Sequence, residues 1–328
     1  MRILLSVPGH LKTVPMNEYV FYTLQQMGYK IRLFNFGIRK FYPRILRKLS
    51  QEKFLNYLDK KLIKLVEKFK PDIFLTIFGF EHRKAILEKL RTKGIITICW
   101  WLNDPFQFER SLKQASYYDY YFTNSKGSVN EYKKYEIKQV FYLPPGCFPE
   151  IHKKFNISNK QIDICFAGDW HPIREKVIES LIDEFSVAIC GPWKKKLNKN
   201  SPLLKHIIKN GFFSPQEMVK IFNISKIVLN IHTWFGKWEF GLNPRVFEAN
   251  ACGAFQICDW KQEIPMHYEV DKEIVIYKSV KELKEKIKYF INRPYEREDI
   301  AFKAYLKSLK EHTYKIRLEK MFHLCGLI

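Results

Sequence analysis

Arg245 and Glu248 stand three residues apart in the run W-E-F-G-L-N-P-R-V-F-E-A-N-A-C-G, Trp238 to Gly253. On a helix that spacing puts both on one face. There a carboxylate can accept hydrogen bonds from the two hydroxyls of a ribose, and a guanidinium can neutralise phosphate. A plain surface ion pair has the same spacing, so the residue types alone leave both readings open. Asn243-Pro244 reads as an N-cap followed by a first-turn proline, and Gly253 as the residue just past the helix end. The helix would run about two and a half turns, with Gly241 in the F-G-L that precedes it. Its amino end would carry unpaired N–H groups and the positive end of a dipole, which suit a diphosphate.

Other candidates directly follow apolar runs. His10 closes P-G-H, His82 lies in G-F-E-H, and Asp104 sits in N-D-P. Asp104 could act as a base or orient a second substrate, or simply shape the turn before Pro105. Gly168 and Arg174 bound the turn G-D-W-H-P-I-R. A metal is not expected: D-x-D is absent, and no histidines fall at H-x-x-x-H or H-E-x-x-H spacing. The phosphate loop G-x-x-x-x-G-K-[ST] is absent too.

These residues need a frame. Short apolar runs alternate with longer stretches of helical period, as in βα units around a parallel sheet. Strands are predicted at Ile3–Val7, Ile31–Phe36, Ile73–Phe78, Ile95–Trp101, Tyr120–Thr123 and Val140–Leu143. Helices are predicted at Asn17–Met27, Arg44–Phe69, His82–Thr92 and Ser125–Tyr135. P-P-G-C-F-P then interrupts the pattern, and it restarts with strands at Ile162–Ala167, Val187–Cys190, Ile227–Ile231, Phe255–Cys258 and Ile274–Tyr277. Helices fall at Glu175–Glu184, Pro215–Ile224, Pro244–Cys252, Val280–Ile291 and from Tyr295 onward. The expectation is two doubly wound, Rossmann-like domains, residues 1–155 and 156–300, with helices 301–328 packing back toward the first. A cleft between the sheets' carboxyl edges would close through the proline-rich hinge.

Lys and Arg number 56 against 34 Asp and Glu, a net charge of +22. Such an excess suits an anionic partner, or reflects a lysine-rich composition at large. In Arg39–Lys70 basic residues accompany Leu55, Leu58, Leu62, Leu65, Val66 and Phe69 at helical spacing. The basic side could rest on an anionic membrane surface or be a solvated helix face. No nucleic-acid module is recognisable, and nucleic acid is not an expected partner. Seven cysteines, none in C-x2-C, mostly lie in apolar runs and read as core thiols of a cytoplasmic protein. No stretch is long and apolar enough to span a membrane.

The block N-P-R-V-F-E-A-N-A-C-G-A-F-Q-I-C-D resembles the R-x-F-E-A-x-A-C-G-x-F-x-x-x-D block of the CgeB-like (spore maturation protein) glycosyltransferases, members of the group 1 glycosyltransferases of GT-B fold. D-I-C-F-A-G-D-W-H-P-I-R is similar to the first strand and loop of that family's second domain. F-F-S-P-Q-E-M-V-K-I-F-N-I-S-K-I-V-L-N-I, T-I-C-W-W-L-N-D-P and H-T-Y-K-I-R resemble further family stretches, in the same order along the chain. The resemblance implies a GT-B enzyme that moves a sugar from a nucleotide donor, of UDP or GDP type, to a carbohydrate, lipid-linked or protein acceptor. It implies no metal, no other cofactor, and retention of configuration. Glu248 would bind the donor ribose; Gly168 and Arg174 would meet the pyrophosphate, with Gly241, Asn243 and Arg245 completing the donor site. His10, Asp104 and Arg174 would be the catalytic candidates. Many group 1 enzymes carry a second glutamate eight positions before the first, where this chain has Phe240 with Glu239 one place further off. That irregularity is what a non-catalytic assembly protein of the same fold would tolerate.

Overall fold

Runs such as R-I-L-L-S-V and I-F-L-T-I are apolar at nearly every position, as strands covered on both faces must be. In the computed structural model of the chain they form β1 (Arg2–Val7) and β3 (Ile73–Ile77). The structure describes residues 1–9, 14–37, 41–157 and 159–328, the side chains of 41 and 42 excepted. His10 therefore lies outside the described residues, and so does Arg39.

The chain divides into two compact units, one of Met1–Pro144 with Tyr314–Ile328 and one of Pro145–Thr313. In the first, β2 (Lys30–Asn35), β4 (Ile96–Trp101), β5 (Tyr120–Thr123) and β6 (Val140–Tyr142) join β1 and β3 in the order β2-β1-β3-β4-β5-β6. Every ladder is parallel. The connecting helices are α1 (Met16–Gln26), α2 (Phe41–Leu49), α3 (Gln51–Phe69), α4 (Lys84–Arg91), α5 (Phe108–Ala115) and α6 (Lys126–Lys134). The single helix predicted over Arg44–Phe69 is two. Ser50 is extended, its side chain accepts from the amide of Lys53, and this cap starts α3 afresh. α3 buries Phe54, Leu58, Leu62 and Val66 and leaves Lys53, Lys60, Lys61, Lys64 and Lys68 exposed.

The second unit repeats the plan with β7 (Ile162–Ala167), β8 (Val187–Gly191), β9 (Ile207–Asn210), β10 (Ser225–Asn230), β11 (Gln256–Asp259) and β12 (Val275–Tyr277). Their order is β12-β11-β10-β7-β8-β9, again all parallel. The order reverses between β7 and β10, and in open α/β sheets ligands gather at the carboxyl end of such a switch point. Helices α7 (Pro172–Glu179), α8 (Pro215–Asn223), α9 (Arg245–Ala251), α10 (Val280–Ile291) and α11 (Pro294–Glu311) cover the sheet. α8 opens on a capping box in which Ser214 and Glu217 satisfy each other's backbone.

Helix α12 (Tyr314–Leu324) belongs to the first unit, where Tyr314 meets the rings of Tyr19 and Trp100 and Phe322 meets Tyr29. α11 remains in the second unit. The return thus begins at Tyr314 rather than at residue 301, because His312 and Thr313 interrupt the helix between them. Among the described residues, no helix is long and apolar enough to cross a membrane.

Candidate functional site

The carboxyl ends of β7 and β10 gather most of the residues singled out above. The Nε of Arg245 donates to the carbonyl of Ala167, the last residue of β7, at 3.0 Å. The Nε of Arg174 donates to the carbonyl of Ile231, just past β10, at 2.9 Å, and its Nη1 to the carbonyl of Asp169 at 2.9 Å. Two guanidinium groups are thus pinned by their stems to the strand ends that flank the switch point. Among the described residues, Nη2 of neither arginine makes a hydrogen bond. Burial, and after it the nearby Arg245, push Arg174 down to about 10 against the pull of Asp169, so it stays charged at neutral pH.

Glu248 is buried on α9, and its Oε2 accepts from Nη1 of Arg245. Its Oε1 lies 4.0 Å from Nε2 of His152. Burial pushes His152 down to about 4, and its Nδ1 accepts from the amide of Phe148 at 2.9 Å, so the Nε2 facing Glu248 carries the proton. His152 is a neutral neighbour of the carboxylate and not an ionic partner.

Gly168 lies under the Arg174 side chain, whose Nη1 would be 3.6 Å from an added Cβ. Its amide donates to the carbonyl of Cys190 at 2.9 Å, and its own carbonyl accepts from Nε1 of Trp193 at 2.9 Å. That carbonyl also presses on Gly191, where φ is 152° and a Cβ would lie 2.1 Å from it. Gly191→Ala is expected to destabilise the chain by about 2–4 kcal/mol, from overpacking added to backbone strain. A denaturant midpoint unchanged in this variant would show that the two loops can part without cost.

Asn243 and Gly241 are in the loop before α9. Asn243 does not cap the helix: its Nδ2 donates to Oδ1 of Asn230 at 2.8 Å, and its Oδ1 accepts from Nδ2 of Asn230 at 3.2 Å. Pro244 is already helical, and α9 is seven residues long. A helix this short contributes little dipole, so positive charge here comes from the arginines. Gly241 (φ 85°) donates its amide to Oε1 of the buried Glu263 at 2.9 Å. The Glu239 side chain is exposed, while its carbonyl accepts from the amide of Gln262.

Asp104, in the first unit, is fully buried after β4. Ser111 donates to its Oδ1 at 2.8 Å, and Thr123 and Tyr132 to its Oδ2 at 2.7 and 2.8 Å. Asn124 clasps its backbone from both sides at 3.0 Å. Burial raises its pKa, and the three hydroxyls work against that rise. His82 is likewise buried, with Nε2 2.8 Å from Oγ of Ser6, and burial pushes it down to about 3.

Residue type and spacing single out neither His152 nor His232 and Lys261, and Asp259 figures only as the last residue of the block that resembles the family. His232 follows β10 and Asp259 closes β11, each at the carboxyl end of a buried strand, and that position is the available signal.

Residues 173–323 match a family described as glycosyl transferase-like. The spore protein CgeB of Bacillus subtilis (strain 168) is 24% identical to the chain over 299 residues, 85% of this chain and 92% of that one. Sucrose-phosphate synthase from Thermosynechococcus elongatus superposes with a TM-score of 0.74 at 10% identity, over 99% of this chain and 98% of its own. Anabaena HepE, solved in complex with UDP-glucose, superposes over the whole of both chains with a TM-score of 0.66 at 13% identity. At such identities the structural likeness is one of fold.

Proposed function

We propose that the chain is a glycosyltransferase of the CgeB-like group with the GT-B fold, and that its second unit holds a nucleoside-diphosphate sugar at the β7/β10 switch point. The observation that carries this reading is the pair of pinned guanidiniums, each with Nη2 uncommitted among the described residues. Each Nη2 has N–H groups to donate, and two such nitrogens can meet the oxygens of a diphosphate. Gly168, under the Arg174 side chain, adds no side chain of its own beside that guanidinium. Glu248, with Oε2 held by Arg245, offers Oε1 to the ribose hydroxyls.

As the bond from the sugar's anomeric carbon to the diphosphate breaks, Arg174 and Arg245 counter the charge that gathers on the leaving group. In this reading they do the work for which other transferases use a divalent ion. The acceptor is a hydroxyl of a carbohydrate, lipid-linked or protein substrate, transfer retains configuration, and the exposed lysines of α3 serve an anionic membrane surface. Asp104, enclosed by three hydroxyl donors, shapes the loop after β4 and takes no proton from the acceptor. UDP is the first donor base to try, since HepE was solved with UDP-glucose.

A thermal-shift panel of UDP, GDP, ADP, dTDP and CMP tests the donor assignment. A ligand that binds only the native state stabilises it by about 2.7 kcal/mol at a hundred times its Kd. One nucleoside diphosphate should raise Tm, and Glu248→Ala should diminish the rise. Silence across the panel would overturn the assignment.

A further inference from the structure

Lys261, Asp259 and His232 form a continuous buried chain behind α9, with exposures of 1, 0 and 0%. Nζ of Lys261 lies 2.5 Å from Oδ2 of Asp259. Oδ1 of Asp259 accepts from the amide of His232 at 2.8 Å and is 2.7 Å from its Nδ1. At the far side of the ring, Nε2 of His232 is 3.0 Å from the backbone nitrogen of Asn243. A backbone N–H can only donate, so Nε2 must be the accepting nitrogen, and the proton sits on Nδ1 facing the carboxylate.

We propose that this chain is a positioning device for the donor site: it fixes the amide of Asn243 and thereby sets where Arg245 and Glu248 stand. The proposal rests on the donor reading above. Three ionisable side chains buried together are a costly way to gain stability. What they deliver here is an oriented acceptor for a loop amide that no strand or helix partner serves.

The same loop is gripped from β10 and β11 by side-chain amides. Asn230 holds Asn243, and Nε2 of Gln256 donates to the carbonyl of Arg245 at 3.2 Å and to Oδ1 of Asn250 at 3.0 Å. Both systems end on the backbone that carries Arg245.

The groups facing His232 bear out the tautomer. Asp259 and Lys261 lie on one side, Arg174 adds positive charge nearby, and the Trp234 ring lies tilted against it with centroids 4.9 Å apart. Burial lowers the His232 pKa, and Asp259 opposes that shift without reversing it. Burial alone would raise the Asp259 carboxyl, but His232 and Lys261 outweigh it and hold it at about 2.

His232, Cys258 and Asp259 also place possible metal-ligand atoms within 4.8 Å of one another. The lysine ammonium on Asp259 already occupies the cation's place, and Nε2 of His232 is taken by Asn243. Burial pushes the Cys258 thiol well above its usual value, which keeps it a thiol. The geometry therefore suits a relay of hydrogen bonds and not a metal centre.

The test uses the full chain, UDP as probe, and His232→Phe, which keeps the ring's bulk without its nitrogens. Hydrogen exchange should show the Asn243 amide losing protection in this variant whether or not UDP is present. UDP affinity should fall about tenfold or more, yet change less than about threefold when the same substitution is made in an Arg245→Ala background. His232→Gln, with an oxygen to accept and an N–H to donate, should recover most of the protection and affinity. Unchanged protection at Asn243, or equal affinity losses in both backgrounds, would overturn the proposal. Failure of the wild-type chain to bind UDP would instead count against the uridine donor, and the exchange measurement would still decide the relay.

Discussion

Arg174→Ala should lower kcat/KM for sugar transfer, or for hydrolysis of the donor, by about a hundredfold to a thousandfold, the range for losing one pre-aligned donor to a developing charge. The side chain cannot be replaced by charge alone. Nε and Nη1 are spent on the carbonyls of Ile231 and Asp169, and this is what aims Nη2. A lysine has one ammonium for all three tasks, so Arg174→Lys should recover only a minor part of the loss. Arg245→Ala should be as damaging and should also lower Tm, because it strips the buried Glu248 of its ion partner. Steady-state kinetics with parallel melting curves would separate the two effects. An Arg174→Ala enzyme within threefold of wild type in kcat/KM would show that the diphosphate lies elsewhere.

Mild acid should destabilise the protein through its buried histidines. His82 and His152 are fully buried and held at about 3 and about 4, against 6.5 for an ordinary histidine. Their folded values are depressed, so the unfolded chain binds protons first. Stability is complete above about pH 6.5 and is lost as pH falls toward those folded values. At pH 5 each costs about 2 kcal/mol, a large share of the roughly 5–15 kcal/mol a native chain has to lose. His232 shifts in the same direction. Asp259, held at about 2, contributes stability present above its unfolded value near 3.8 and lost only below it, so it is intact at pH 5. Urea midpoints at pH 7.5, 6 and 5 should therefore fall in steps. His82→Phe should shrink the difference between the two extremes by about 2 kcal/mol. A flat profile down to pH 5 would mean that these rings are not buried in neutral form.

The frame was legible because parallel strands covered on both faces must be apolar at most positions, as β1, β3 and β7 are. β9 escaped notice for the complementary reason: at the sheet edge it alternates, and Lys209 and Asn210 make it read as a loop. α5 carries no side-chain cap and begins two residues after Phe106, so nothing local marks it. The arginines of the site were legible from residue type and family pattern. What tethers them was not, since the Ala167 and Ile231 carbonyls carry no residue-type signal. Asp104 shows the same limit. Its position after a strand is equally that of a base and of a turn, and nothing in the sequence announces the hydroxyls of Ser111, Thr123 and Tyr132 that enclose it. His232 and Asp259 are 27 residues apart and meet only because β10 and β11 lie side by side.

The crossing of the chain at Thr313–Tyr314 also orders events during synthesis. Helix α12 is made after the whole of the second unit, yet its Tyr314 packs against Tyr19 and Trp100. As the chain leaves the ribosome from its amino end, the first unit must wait with that apolar seat uncovered while all of Pro145–Thr313 is made. The second unit, contiguous in the chain, has no such wait. The unit that begins first is therefore completed after the one that follows it, and a nascent chain stalled before Tyr314 would offer its bare aromatic seat to chaperones.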